Sequence, residues 1–136
     1  MIAVEHRQYS MSEERSTIQR LHDIRENMEF IMRTVDSTSS DVFFSDVLYP
    51  AAVSRAFVII GEASKYIPNN FRTEYPHIPW DNMINYGDFL LSEYRRVTPE
   101  DIWDKANNLI PKLYDVISQM IVNVEREQEI LLSYTH

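Results

Sequence analysis

Residues 98–124 read TPEDIWDKANNLIPKLYDVISQMIVNV, and this stretch decides the fold class. Its apolar residues recur every three or four positions, which is the spacing of one face of an α-helix. Thr98 suits the N-cap and Pro99 the first helical position, with acidic residues behind them. Pro111 is expected to kink the helix, because proline lacks a backbone N–H. The apolar face consists of Ile102, Ala106, Leu109, Leu113, Ile117, Met120 and Val124.

The same spacing predicts three more helices upstream. The first covers residues 12–35, opens on a serine cap with an acidic first turn, and ends at a polar linker. A short helical turn at 42–44 precedes a second long helix at 50–67. Prolines within 68–80 predict a loop, and a third helix should cover 81–94. The first two faces are Ile18, Leu21, Ile24, Met28, Ile31 and Val35, and Val53, Phe57, Ile60, Ala63 and Ile67.

Four long amphipathic helices with short connections are typical of an all-α antiparallel bundle of four, or up to five, helices. The chain has 136 residues, enough for one core, and its two glycines are too few for a hairpin-rich β protein. We predict one bundle domain at 12–132, preceded by an N-terminal tail at 1–11. The absence of cysteine excludes disulfides, thiolate metal sites and thiol nucleophiles.

The net charge is −8, from 13 basic and 21 acidic residues that are spread along the chain. A broad nucleic-acid-binding surface is disfavoured, because such surfaces are locally basic, although a small basic patch stays open. No apolar run is long enough to span a membrane, and the start of the chain lacks a signal-peptide pattern. These features predict a cytoplasmic protein that does not contact membranes.

Pattern alone identifies no catalytic or metal-binding constellation. No two histidines stand four residues apart and no Glu-x-x-His occurs, so neither a metal nor a cofactor is predicted. A glycine-rich phosphate loop and a nucleophile elbow are also missing. The methionines on or beside the apolar faces are predicted to fill the core, and they are Met28, Met32, Met83 and Met120.

Two segments carry a resemblance to a known family. The first is IIGEASK at 59–65 followed by IPW at 78–80, and the second is Tyr94, Val97 and the pair Ile102–Trp103, with leucines and a proline beyond. This order resembles the HepT-like family of the HEPN superfamily, toxin subunits encoded beside minimal nucleotidyltransferase antitoxins. The resemblance covers residues 15–121 and fits the family spacing between the two tryptophans without a gap.

The resemblance implies an all-α protomer that forms a homodimer, with the functional motifs facing one cleft. It also implies metal-independent endoribonuclease activity from an Arg-polar-x-x-x-His motif, and a tyrosine to which the partner transferase attaches nucleotide monophosphate. On this chain the arginine position falls on Gly87, the polar position on Asp88, the histidine position on Ser92 and the tyrosine on Tyr94. Asp88 and Tyr94 fit the pattern, whereas Gly87 and Ser92 depart from it.

This departure changes the expected chemistry. Cutting RNA without a metal needs a proton acceptor and a proton donor, and a serine hydroxyl does not titrate near neutral pH as an imidazole does. Glycine cannot clamp a phosphate as a guanidinium does. We therefore expect weak or absent ribonuclease activity. A glycine inside a helix lowers stability by about 1 kcal/mol relative to alanine. A helix kink, a close approach of two chains or decay of an unused motif would each explain why glycine occupies position 87.

Several other residues carry alternative interpretations. Arg72 and His77 also spell Arg-x4-His, but they precede Trp80 in the predicted loop, so an active ribonuclease that uses them is the minority hypothesis. Arg95 and Arg96 fit either a phosphate or acidic-partner contact or a solvated helix end. A non-catalytic dimeric binding module for RNA or a transferase, and a substrate-holding subunit of that transferase, are further alternatives.

The remaining residues of the family blocks have structural interpretations. Glu62 and Lys65 are spaced to pair along a helix, and Gly61 is expected to permit a close helix contact. Trp80 and Trp103 are expected to anchor the core or an interface. Large apolar residues outside the main faces suggest surface that a partner would cover, and they are Phe30, Phe43, Phe44 and Phe89.

Overall fold

The computed structural model describes residues 11–135, and every regular element within them is helical, which confirms the all-α class. The predicted N-terminal tail lies outside the described residues apart from its last position. The elements are α1 (Met11–Asp36), α2 (Ser40–Ser45), α3 (Leu48–Lys65), α4 (Asn69–Glu74), α5 (Trp80–Ser92), a 3₁₀ turn (Tyr94–Arg96), α6 (Pro99–Asn108) and α7 (Ile110–Thr135).

The long helices form one bundle around a continuous apolar core. Helix α1 packs against α3 and α7, α3 packs against α5, and α6 lies against α7, α1 and α3. The predicted apolar faces point into this core, since burial of aliphatic and aromatic surface is the main stabilising contribution to folding. Among the most deeply buried side chains are Leu21, Ile24, Met28, Ile31, Val53, Ile117 and Met120.

Helix α6 starts as the sequence predicts. The Thr98 hydroxyl oxygen accepts a hydrogen bond from the backbone N–H of Asp101 at 3.2 Å, and Pro99 occupies the first helical position. The predicted cap of α1 was wrong by a residue or more, because Ser12 already lies inside the helix. The acidic residues Glu13 and Glu14 do lie in the first turn of α1.

The last helical segment is interrupted at Leu109, two residues before Pro111, where the sequence predicts a kink. Helix α6 ends at Asn108 and α7 begins at Ile110, with Pro111 in the first turn of α7. Proline cannot donate the hydrogen bond that a continuous helix needs there. The break shifts the helical register, so that Ile110 is buried at 1% exposure whereas Leu109, predicted for the core, is 37% exposed.

Two other predicted boundaries were wrong. The proline-containing stretch after α3 includes a short helix, α4, where only loop was expected. Helix α5 ends at Ser92, two residues before the predicted end, and Tyr94 to Arg96 form the 3₁₀ turn. Tyr94 therefore lies beyond the helix that carries the other predicted motif positions.

Of the four phenylalanines outside the main faces, Phe30 and Phe44 are exposed, Phe89 is half-buried and Phe43 is buried. Phe43 is fully buried, with its ring centroid 5.0 Å from that of Trp103, so its predicted exposure was wrong. Phe30 and Phe44 are 37% and 41% exposed. Within residues 11–135, no helix combines the length and apolar character needed to cross a bilayer.

Candidate functional site

Helix α5 carries a row of exposed polar side chains along one face. Asp81, Asn85, Asp88 and Ser92 are separated by steps of four, three and four residues, so they lie on one side of the helix. The buried residues Trp80, Met83, Gly87 and Leu90 occupy the other side. We refer to the four polar residues as the outer face of α5. Two of the predicted motif positions, Asp88 and Ser92, belong to it, and Gly87 does not.

Gly87 lies where α3 and α5 come closest together. A Cβ atom on Gly87 would stand 3.3 Å from the Cα of Gly61 and 3.4 Å from the carbonyl oxygen of Phe57. A Cβ atom on Gly61 would stand 3.0 Å from the carbonyl oxygen of Met83. The close contact expected of Gly61 is therefore present, and Gly87 faces it within the same chain. An arginine at position 87 would require the two helices to separate.

Asp88 is held by a lysine of the preceding long helix. The Lys65 ammonium donates hydrogen bonds to Asp88 Oδ1 at 2.8 Å and to Glu62 Oε1 at 3.2 Å. The bond to Asp88 and then the bond to Glu62 raise the pKa of Lys65 above its ordinary value of 10.5. Lys65 therefore remains a cation at neutral pH. The spacing of Glu62 and Lys65 predicts that they pair along α3. The contact between Lys65 and Asp88 joins two separate helices, so the spacing within one helix does not predict it.

Ser92 does not form a catalytic pair with Asp88. Its hydroxyl donates to the backbone carbonyl oxygen of Asp88 at 2.8 Å, the usual contact of a helical serine with the preceding turn. Neither of the two described histidines lies on α5. His22 is 3.4 Å from Glu125, between α1 and α7, and the His77 ring lies beside Tyr75. Along the described chain, the outer face of α5 therefore has no imidazole from its own protomer.

Tyr94, Arg95 and Arg96 form an exposed turn just beyond Ser92. The Tyr94 side chain is 65% exposed, and the Arg95 guanidinium lies 5.9 Å from the centroid of the Tyr94 ring. Within residues 11–135, neither arginine has a recorded ion pair. The tyrosine hydroxyl is accessible to another molecule, and the two arginines form a small basic group beside it.

Arg72 and His77 do not form a site together. The Arg72 guanidinium donates to the carbonyl oxygens of Ser64, Lys65 and Ile67 at 3.0, 3.1 and 3.0 Å. Ser64 and Lys65 carry the terminal carbonyl groups of α3, where the helix no longer supplies all the backbone partners, and Ile67 lies in the turn that follows. Arg72 therefore caps α3. Its place in a predicted loop did not indicate this role. His77 is exposed. It lines a surface depression together with residues of α7, whereas Arg72 lines a separate depression next to the start of α5.

A second polar cluster links α5 to α6 and was not identified from the sequence. The Tyr86 hydroxyl donates to Asp101 at 2.9 Å, and Lys105 donates to the same carboxylate at 2.7 Å. Burial and then the bond to Asp101 raise the pKa of Tyr86 well above its usual value. The ring is thus held in a neutral, fixed position. The i, i+4 spacing of Asp101 and Lys105 predicts the contact between these two residues. The contact with Tyr86 joins two helices and has no such signal in the sequence.

A metal centre is not apparent in the part of the chain that the structure describes. Residues 11–135 contain no group of three or more histidine and carboxylate side chains arranged to hold an ion. The chemistry available at α5 is therefore a carboxylate held by an ammonium group, a serine hydroxyl, and an exposed tyrosine with two arginines nearby.

The chain is similar in sequence to a family model and to several proteins that are described as ribonucleases. A family model described as Ribonuclease HepT-like matches residues 24–120. A candidate RNase of Methanocaldococcus jannaschii is 36% identical over 109 residues, which is 80% of this chain and 90% of the relative. A probable ribonuclease HepT of Thermococcus cleftensis is 39% identical over 93 residues, covering 68% of this chain and 84% of the relative. No solved structure matches the chain significantly.

Proposed function

The chain belongs to the HepT-like ribonuclease family, and from this membership we propose that it is a member with little or no ribonuclease activity. In this proposal the chain is a dimeric binding subunit that a minimal nucleotidyltransferase recognises. It corresponds to the toxin side of a toxin–antitoxin pair whose catalytic motif has degenerated.

The packing of Gly87 carries this proposal. The position that the family motif gives to arginine faces the backbone of α3, with Gly61 Cα only 3.3 Å from an added Cβ atom. A guanidinium therefore has no place there while α3 and α5 pack as they do. Ser92, at the histidine position, has a hydroxyl directed to a backbone carbonyl and cannot exchange protons near neutral pH. Asp88 is the one motif group that retains charge, and Lys65 neutralises it.

The dimer would form through the exposed apolar surface beside Tyr94. Val47 and Leu48 are 75% and 72% exposed, and Leu91 is 54% exposed. Val47 and Tyr94 line the same shallow groove. Covering such apolar side chains on association is favourable, which supports the dimer that the family resemblance implies. RNA is a weaker candidate ligand, because the chain carries a net charge of −8.

The activity is tested by incubating the purified protein with transfer RNA and with a single-stranded RNA. We expect little or no cleavage, and no change in the Asp88→Ala variant. Cleavage that is lost in either Arg72→Ala or His77→Ala, in protein shown to remain folded, would instead support the alternative site. Cleavage that is lost in Asp88→Ala would show that the α5 motif is active, and would overturn the proposal.

The partnership is tested by mass spectrometry after incubation with the neighbouring nucleotidyltransferase, where one is encoded, and ATP. We expect a mass increase of one or more nucleotide monophosphates, lost in Tyr94→Phe. Tyr66→Phe is the matched control, because Tyr66 is 62% exposed and Tyr94 is 65% exposed. Modification that persists in Tyr94→Phe, or none at all with an active transferase, would contradict the assignment of Tyr94.

A further inference from the structure

A cavity opens beside the outer face of α5, between α3, α5 and the junction of α6 with α7. Its volume is about 390 Å³, towards the lower end of the range typical of ligand sites. Apolar and aromatic side chains form most of its wall, and they include Phe57, Ile60, Met83, Phe89, Ile110 and Leu113.

The two carboxamide groups of the cavity lie on one helix. Asn82 and Asn85, one turn apart on α5, both line it and are exposed. Within residues 11–135, neither carboxamide has a recorded side-chain hydrogen bond, whereas Asn27, Asn107 and Asn108 each do. Each carboxamide offers a donor and an acceptor side by side, which matches the edge of a heteroaromatic ring.

The charge around the cavity favours a neutral ligand. Lys105 is the charged side chain in the lining, and its ammonium is 2.7 Å from the Asp101 carboxylate. Asp81, which precedes Asn82, lines an adjoining depression that Asn82 shares. A phosphate group would therefore meet a neutralised lysine and nearby carboxylates. A neutral ring meets no such penalty.

From these observations we propose that the cavity binds a purine base, with the ring among the aromatic and aliphatic walls and its edge hydrogen-bonded by Asn82 and Asn85. Adenine fits best, because an asparagine carboxamide pairs with adenine through two hydrogen bonds. Base stacking on aromatic side chains adds to such binding. The base can belong to a free nucleoside or to a single-stranded RNA. The site does not depend on ribonuclease activity, so it stands apart from the proposed function.

The test is isothermal titration calorimetry with adenosine, AMP, uridine and a hexameric oligoadenylate. Binding of adenosine in preference to uridine, and about tenfold or more weaker binding in the double variant Asn82→Ala/Asn85→Ala, is the expected result. Asn70→Ala, which changes an exposed asparagine on α4, should bind within twofold of wild type. AMP should bind no more tightly than adenosine. Tighter binding of oligoadenylate identifies the ligand as RNA, and tighter binding of adenosine identifies a free nucleoside.

A second variant tests the cavity itself. Leu109 lines the cavity, is 37% exposed, and lies between two helices, so a larger side chain is tolerated there. Leu109→Trp should fill the space and weaken adenosine binding at least tenfold, with an unchanged thermal unfolding midpoint showing that the fold persists. Absence of adenosine and oligoadenylate binding at millimolar concentration would overturn the proposal. Equal affinity for adenosine and uridine, or binding that both cavity variants leave intact, would overturn it as well.

Discussion

Gly87 and Ser92 stand at the positions that we propose the family motif gives to an arginine and a histidine, and each has a definite contact in this chain. Gly87 allows α5 to approach Gly61 on α3, and the Ser92 hydroxyl bonds to the preceding turn of its own helix. The glycine is therefore required by the packing of two helices. This requirement could not be read from the sequence, because it depends on which helix crosses α5 at that point.

At the residue scale, we predict that Gly87→Ala destabilises the protein by about 1–3 kcal/mol, because the added Cβ presses on the backbone of α3. Helix propensity alone would make the Gly87→Ala variant more stable, because it favours alanine over glycine by about 1 kcal/mol. Gly61→Ala should cost more, since its Cβ would lie 3.0 Å from a carbonyl oxygen. Urea unfolding measures both.

Ser92→Ala is the matched control for these glycine variants, because Ser92 is on the same helix and exposed. Its effect should be within about 0.5 kcal/mol. A Gly87→Ala variant as stable as wild type, or more stable, would mean that α3 and α5 are farther apart than described.

At the scale of elements, the sequence was informative wherever local chemistry decides the outcome. The cap at Thr98, the apolar faces of the long helices and the glycine contact at Gly61 were all predictable from residue type and spacing. Boundaries were less predictable. Pro111 indicates an interruption of the last helical segment, but its exact place at Leu109 and the early end of α5 depend on how tertiary packing competes with helix propensity. Contacts between helices, such as Lys65 with Asp88, lie beyond any single-helix pattern.

The capping of α3 by Arg72 gives a prediction at this scale. Arg72→Ala should lower the free energy of unfolding by about 1–3 kcal/mol, because three carbonyl groups lose a charged donor. Thermal or urea unfolding is the measurement. Arg55→Ala, which removes an exposed arginine within α3, should change stability by less than about 0.5 kcal/mol. Equal stability of the two variants would show that Arg72 is not a cap.

At the scale of the whole molecule, the distribution of charge and apolar surface is the basis for the dimer that we propose. The net charge of −8 opposes RNA binding over a broad surface, while Val47 and Tyr94 line one groove and the neighbouring residues Leu48 and Leu91 are exposed. A dimer that covers this surface would bring the α5 helices of two protomers near each other. The small basic group at Arg95 and Arg96 would then lie beside the interface.

This arrangement predicts the effect of a charge placed in the groove. Val47→Glu should convert the dimer to a monomer, because a buried, unpaired carboxylate is costly at an interface. Sedimentation analysis gives the molecular mass. Val122→Glu, which alters a 46% exposed valine on α7, should leave the dimer intact. A monomeric wild-type protein, or a Val47→Glu variant that still dimerises, would place the interface elsewhere or remove it.

The most direct measurement is the single-turnover rate constant for RNA cleavage, compared with that of a family member that carries both the arginine and the histidine. Loss of an acid–base group and loss of a charge-stabilising group each lower a rate by about 10²-fold or more. We predict a rate at least about 10⁴-fold below that of the intact enzyme. A rate within about tenfold of it would contradict the claim that Gly87 and Ser92 leave α5 without a catalytic pair.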